Sequence, residues 1–201
     1  MNRDQRGPIA RIRRAIKRSM NSSPGRDSWQ RPDAVVAALE IQPGARIADL
    51  GAGGGYFTVR FARATGPTGI VYAVDTDDDM LVSVEEAAGK AGLPNVRPIH
   101  ADPDGPILPE RVDLVFLSNA YHHLLDQGRY FERLAAQLAP GARVAILEAL
   151  PGGLMARLFG HVTPPAQIRE QLQAAGYRLQ ANHDLLASQS FQVFARPDVD
   201  A

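Results

Sequence analysis

The chain has 201 residues, 45% of them hydrophobic and 22% charged, and its 22 basic side chains balance 22 acidic ones. That composition suits one globular domain rather than a disordered chain, and no apolar run approaches the roughly 20 residues of a membrane-spanning helix. With no cysteine, a disulfide framework, a thiolate metal site and a cysteine nucleophile are excluded, and a reducing, cytoplasmic setting is expected.

The neutral total hides an asymmetry. Residues 1–20 hold seven basic side chains against Asp4 alone, a net of +6, and leave the remainder at −6. Ile9, Ile12, Ile16 and Met20 would share one stripe of a helix, with the cations on the other face. That pattern suits weak contact with an anionic membrane surface, a passive tail, or a helix packed over the body. No apolar stretch follows the charges, so a secretory leader is not expected. Asn21-Ser-Ser-Pro-Gly25 reads as a linker, giving a basic arm over 1–25 and one domain over 26–201.

Beyond the linker, helices and strands alternate. The pattern predicts a helix over 32–41, a strand over Arg46–Leu50, a helix near 56–65 and a strand over Gly69–Asp75. A helix over Met80–Ala91 and strands over Val96–His100 and Val112–Ser118 follow. The last of these (VDLVFLS) is nearly all apolar, as a strand covered on both faces should be. Gln127–Leu138 reads as a helix stopped by Pro140-Gly141, and Arg143–Glu148 as the fifth strand. A helix over Pro165–Ala175, with Thr163 as its N-cap, closes at Gly176. Two final strand-like runs, Tyr177–His183 and Phe191–Arg196, have no helix between them and must pair antiparallel. The sum is an α/β fold: a doubly wound, mostly parallel, seven-stranded sheet ending in an antiparallel hairpin.

The strongest chemical signal is Asp49-Leu50-Gly51-Ala52-Gly53-Gly54-Gly55-Tyr56, between the first strand and a helix. A nucleotide binds at that place in such sheets, against backbone N–H groups that only glycine lets a ligand approach. The dinucleotide pattern G-x-G-x-x-G fails at its third glycine, where Tyr56 stands. Asp49 would repel a pyrophosphate, but it accepts hydrogen bonds from an ammonium group or a water. An NAD(P)-dependent oxidoreductase is therefore the weaker reading.

The run Asp49-x-Gly51-x-Gly53-x-Gly55 resembles the first motif, D/E-x-G-x-G-x-G, of the class I S-adenosylmethionine-dependent methyltransferases, which have a Rossmann-like fold. The resemblance covers residues 29–196 and implies S-adenosyl-L-methionine as cofactor. It implies that Asp75, with Thr76 beside it, takes the ribose hydroxyls, that Met80 packs on the adenine, and that Asp102 accepts the adenine amino group. Each strand-end acid has an ordinary alternative as a cap or turn residue. The final hairpin agrees with the inserted antiparallel seventh strand of that family.

The loop Ser118-Asn119-Ala120-Tyr121-His122-His123 follows the fourth strand and should face the methyl group. It lacks the N/D-P-P-Y/F motif of DNA and amine N-methyltransferases and is similar to that of small-molecule members. Methyl transfer is in-line displacement, so positioning carries much of the rate. An acceptor hydroxyl, thiol or carbon acid also needs a base, for which histidine has a suitable pKa. His122 is the candidate base or orienter, and His161, in a glycine-flanked segment, a second candidate. Tyr121 is left open between a cation–π contact with the sulfonium and a structural place. Five scattered histidines without an H-E-x-x-H pattern give no metal expectation. The reading is a methyltransferase acting on a small molecule. Its alternative is a methyltransferase fold that binds cofactor without catalysis or acts on a macromolecule. The acidic body offers no clear nucleic-acid surface, and oligomeric state is unreadable.

Overall fold

The computed structural model describes residues 25–102, 108–152 and 162–196. The described elements, in chain order, are α1 (Arg26–Gln30), α2 (Pro32–Ala38), β1 (Arg46–Leu50), α3 (Thr58–Thr65), β2 (Ile70–Asp75) and α4 (Asp78–Ala91). Then come β3 (Val96–His100), β4 (Val112–Ser118), α5 (Gln127–Leu134), β5 (Leu138–Ala149), α6 (Pro165–Ala174), β6 (Arg178–His183) and β7 (Gln189–Ala195). Residues 1–24, which include the basic stripe, and His161 lie outside the described residues.

The seven strands form one sheet in the order β3-β2-β1-β4-β5-β7-β6. β1 pairs parallel with β2 and β4, β3 with β2, and β5 with β4. β7 runs antiparallel to both β5 and β6, wedged between them, so the expected hairpin closes the sheet. The order reverses at β1, and the carboxyl ends of β1 and β4 meet there, which is where such sheets open a crevice.

Alternation in the strands loads both faces. One is covered by a cluster that includes Val35, Phe57, Phe61, Phe116, Leu147 and Phe191. The other carries Leu117, Tyr121, Phe131, Ile146, Tyr177 and Phe194. Phe116 stands 4.7 Å from Phe57 and 4.9 Å from Phe61, ring to ring, and fastens α3 onto β4. Each such fully buried ring contributes about 1.5–3 kcal/mol of hydrophobic stabilisation. Among the described residues, no helix is long and apolar enough to cross a membrane.

Four expectations change. The helix from Gln127 ends at Leu134 and tightens into a 3-10 turn, Ala135–Gln137. β5 then begins at Leu138, so Pro140-Gly141 lies inside a strand rather than after a helix. The pairing with β4 shifts there, from Val112↔Leu138 to Leu114↔Arg143, and this irregularity absorbs the proline and the left-handed Gly141 (φ 72°). Thr163 does not cap α6: the N-cap is Pro164, without a side-chain hydrogen bond, and Thr163 is buried. Two successive prolines set the backbone for the helix start without a cap. The predicted 32–41 helix is shorter, Pro32–Ala38, and is preceded by α1, broken from it at Arg31 (φ 43°).

Candidate active site

The glycine segment links β1 to α3. Gly51 and Ala52 N–H groups both donate to Val74 O, at 2.8 and 3.1 Å, which folds the loop back over the end of β2. Gly51, Gly53 and Gly55 all have positive φ (72°, 54° and 83°). At Gly51 the need is double, because a Cβ would stand 2.6 Å from the Cβ of Ala120. The glycine loop and the loop after β4 thus meet with no room for a side chain between them. A ligand reaching this floor touches backbone.

Two carboxylates frame it. Asp75, at the end of β2, accepts from Gly53 N through Oδ2 at 2.8 Å and from Asp77 N through Oδ1 at 3.0 Å. Each oxygen keeps a second lone pair for an incoming hydroxyl. Asp49, 2% exposed, accepts from the Thr58 hydroxyl at 2.6 Å. Burial pushes its pKa up to about 7, with Asp75 adding repulsion, while the Thr58 hydrogen bond and Arg26 pull the other way. An acid raised in the fold above its usual 3.8 stabilises the fold when protonated. That contribution is complete below about pH 4 and is lost as pH rises towards about 7. Asp49→Asn keeps an acceptor for Thr58 and removes the titration. Urea unfolding of wild type and variant at several pH values should show the variant gaining, relative to wild type, roughly 4 kcal/mol at most between about pH 4 and 7. Parallel stability curves would contradict the assignment.

The remaining cofactor candidates separate. Met80 is buried in the first turn of α4, which Asp77 caps by accepting from Asp79 N at 2.9 Å. Thr76 is exposed at the strand end, and Asp102 is exposed just past β3, where Ala101 N donates to Asp75 O at 2.9 Å. Tyr56 turns towards α1: its hydroxyl donates to Asp27, and the guanidinium groups of Arg26 and Arg60 lie 3.7 and 4.3 Å from its ring centre. Arg26 is pulled down to about 10 by burial, partly offset by Tyr56 and Asp49. Ser118, at the end of β4, accepts from Gln30 Nε2 at 3.2 Å.

The loop after β4 carries the second half of the site. Asn119 (φ 51°) accepts from Ala149 N and from Gln189 Nε2, and Gln189 in turn accepts from the buried Gln30. This network pins α1, β5 and β7 beside the loop. Tyr121, His122 and His123 form a 3-10 turn. Tyr121 is fully buried, donates to Gln171 Oε1 at 2.8 Å and stacks on Phe131. Its side chain therefore belongs to the core, and the cation–π alternative falls. His123 is exposed, 4.0 Å from the His122 ring, and its pKa is lowered by desolvation and by His122, against the pull of Glu148.

The His122 side chain is 8% exposed and places Nδ1 2.6 Å from Oε1 of Glu148, whose side chain is completely buried. A carboxylate there fixes Nδ1–H, which leaves Nε2 as the ring's acceptor. Glu148 is absent from the sequence-based candidates. Its one signal was an acid closing the apolar run Val144–Leu147, since a lone charge in a fully covered strand needs a partner. Gln30, Asn119 and Gln189 were also missed. Among the described residues, no group of three or more His, Cys, Asp or Glu is placed to hold a metal ion.

Residues 47–141 match the family model described as a methyltransferase domain. The ubiquinone/menaquinone biosynthesis C-methyltransferase UbiE of Pasteurella multocida is 30% identical over 122 residues, 60% of this chain and 45% of that protein. The UbiE of Ectopseudomonas mendocina is 30% identical over 135 residues, 65% and 52% of the two chains. The chain thus spans about half the length of these curated relatives. Among solved structures, a SAM-dependent methyltransferase from Aquifex aeolicus superposes with a TM-score of 0.76 at 23% identity, covering 90% of this chain and 97% of that one. Magnesium protoporphyrin IX methyltransferase from Synechocystis, solved with bound S-adenosylhomocysteine, gives 0.64 at 19% identity, over 83% and 82%.

Proposed function

We propose that this chain, whose residues 47–141 match a methyltransferase-domain model, is a class I S-adenosylmethionine-dependent methyltransferase that methylates a small-molecule acceptor whose nucleophilic atom carries an acidic proton. The observation that carries the reading is the contact between two half-sites. The backbone floor at Gly51 abuts Ala120, two residues before the His122–Glu148 pair. When bound, S-adenosylmethionine supplies an electrophilic methyl group on a cationic sulfonium. Gly51, Gly53 and Gly55 would hold it along the backbone. Asp75 and Thr76 would take its ribose, Met80 and Asp102 its adenine, and Asp49 would offer negative charge beneath the loop. Ser118 and the backbone of Tyr56 complete the set, since the side chain of Tyr56 is engaged by α1.

The chain's own chemistry is proton removal. His122 Nε2 takes the proton from an acceptor hydroxyl or carbon acid, and Glu148 stabilises the imidazolium through Nδ1–H. His161 is proposed at the same mouth on sequence grounds alone. The relatives' printed names, C-methyltransferases of quinone biosynthesis, agree with a carbon acid or phenol. The absence of cysteine supports work in the cytoplasm, and the charge of residues 1–20 supports weak contact with an anionic surface.

Thermal unfolding checks the cofactor. S-adenosylmethionine and S-adenosylhomocysteine should each raise the melting temperature, and NAD should not. Stabilisation by NAD alone would overturn the reading.

A further inference from the structure

We propose that Gln192 is a positioning residue for the His122–Glu148 pair: its Nε2–H donates to Glu148 Oε2 and holds that carboxylate ionised while the histidine ring takes a proton. The inference rests on the proton-acceptor role proposed above for His122.

Antiparallel pairing of β5 with β7 sets Val144 opposite Phe194, Ile146 opposite Gln192 and Glu148 opposite Ser190. Alternation along a strand puts these three pairs on one face of the sheet. The row passes from apolar to polar towards the carboxyl end of β5, where His122 waits. Glu148 and Gln192 are diagonal neighbours on adjacent rungs, a separation that long side chains cross.

Both side chains are fully buried. Oε1 of Glu148 is occupied by His122 Nδ1, but Oε2 has no hydrogen-bond partner. Neither Nε2 nor Oε1 of Gln192 has one. Among the described residues these three atoms are the buried side-chain polar atoms left without a partner. They comprise an acceptor lacking a donor and a neighbouring carboxamide whose N–H groups lack an acceptor. Buried polar groups left unmade are costly, and site hydrogen bonds that are long in the free protein tighten when the site is engaged.

The other groups facing the carboxylate do not supply that donor. Tyr121 spends its hydroxyl on Gln171, and burial and the charge of Glu148 both raise its pKa. His123 feels the same charge but is exposed. Ser190 donates to the backbone oxygen of Glu148, not to its carboxylate. Gln192 is left as the donor on the same face. A donor on Oε2 favours the ionised carboxylate, so a proton entering the pair resides on the ring.

The test is NMR on the full chain labelled at Glu 13Cδ and His 15N. In Gln192→Leu the Glu148 13Cδ signal should move towards that of a protonated carboxyl, and the imidazolium signature of His122 should weaken. The melting temperature does not discriminate, because losing a donor to a buried carboxylate and losing a merely structural amide both alter stability. A purely structural glutamine would instead leave the Glu148 carboxyl and His122 ring signals alone, which overturns the proposal. Should Gln192→Leu not fold, wild type serves. One Gln192 Nε2 proton is expected downfield and slow to exchange, and to lose both properties in Glu148→Ala. Identical amide signals in the two proteins overturn the proposal. If His122→Ala leaves the Glu148 titration unchanged, the dyad itself fails, and the inference with it. If that titration responds to His122 but not to Gln192, only the positioning role fails.

Discussion

Asp75→Ala is expected to weaken S-adenosylhomocysteine binding by at least about a hundredfold, measured by titration calorimetry, while the apo protein still folds. Oδ2 holds Gly53 N at 2.8 Å and Oδ1 holds Asp77 N at 3.0 Å, so the carboxylate ties the glycine loop to the turn that starts α4. Truncation frees both N–H groups and takes away the acceptor proposed for the ribose. Hydrogen bonds to a charged group are worth about 1.5–3 kcal/mol each, and the loss of two such contacts to ligand alone exceeds a factor of about one hundred. Asp75→Asn retains one acceptor oxygen for Gly53 N, so its loss should be smaller. Calorimetry giving the wild-type constant for Asp75→Ala would remove the residue from the cofactor site. The prediction concerns binding and is blind to which acceptor is methylated.

The parts of this architecture legible in the sequence share one physical property: they are decided within a few residues. Strands Arg46–Leu50, Val96–His100 and Val112–Ser118 end where they were read, and in the last of them the signal is a nearly unbroken apolar run that starts after Arg111. The final hairpin was legible for a topological reason, since a short connection without a helix permits only antiparallel pairing. The glycine loop was legible because three glycines at alternate positions serve little purpose other than backbone exposure, and positive φ at all three bears this out.

What stayed hidden is decided across long separations. Helix α1 has the sequence RDSWQ, with no apolar period. It forms because Gln30 is held by Ser118 and Gln189, 88 and 159 residues away, and Arg26 lies against Tyr56. The partner of His122 lies 26 residues downstream on the neighbouring strand. Only the β4–β5 pairing, Ser118↔Leu147, brings the loop after Ser118 alongside Glu148. Pro140-Gly141 misled for the opposite reason. The local signal for a stop was real, but the sheet overrides it by taking the two residues into a pairing irregularity of β5. Tyr121 was ambiguous because the same aromatic side chain suits a crevice or a core, and only its burial and its bond to Gln171 decide.

His122→Ala should lower kcat by about 100- to 10,000-fold, the range for a positioned general base, with S-adenosylhomocysteine binding unchanged within about twofold. The assay is release of S-adenosylhomocysteine with whichever phenol or carbon acid the wild type methylates. The argument turns on where the charge goes. Removing a proton from the acceptor leaves a cation on the ring, and completely buried Glu148, 2.6 Å from Nδ1, is the group that compensates it. Glu148→Gln keeps the hydrogen bond but not the compensation, so its kcat should fall as well, and the two losses should be far from additive because the residues act as one unit. A variant that removed only ground-state binding of the acceptor would raise KM with kcat preserved. Full turnover in His122→Ala would show that the acceptor arrives already ionised, or reacts through a lone pair that needs no base, and the dyad would then be a structural ion pair beneath the loop.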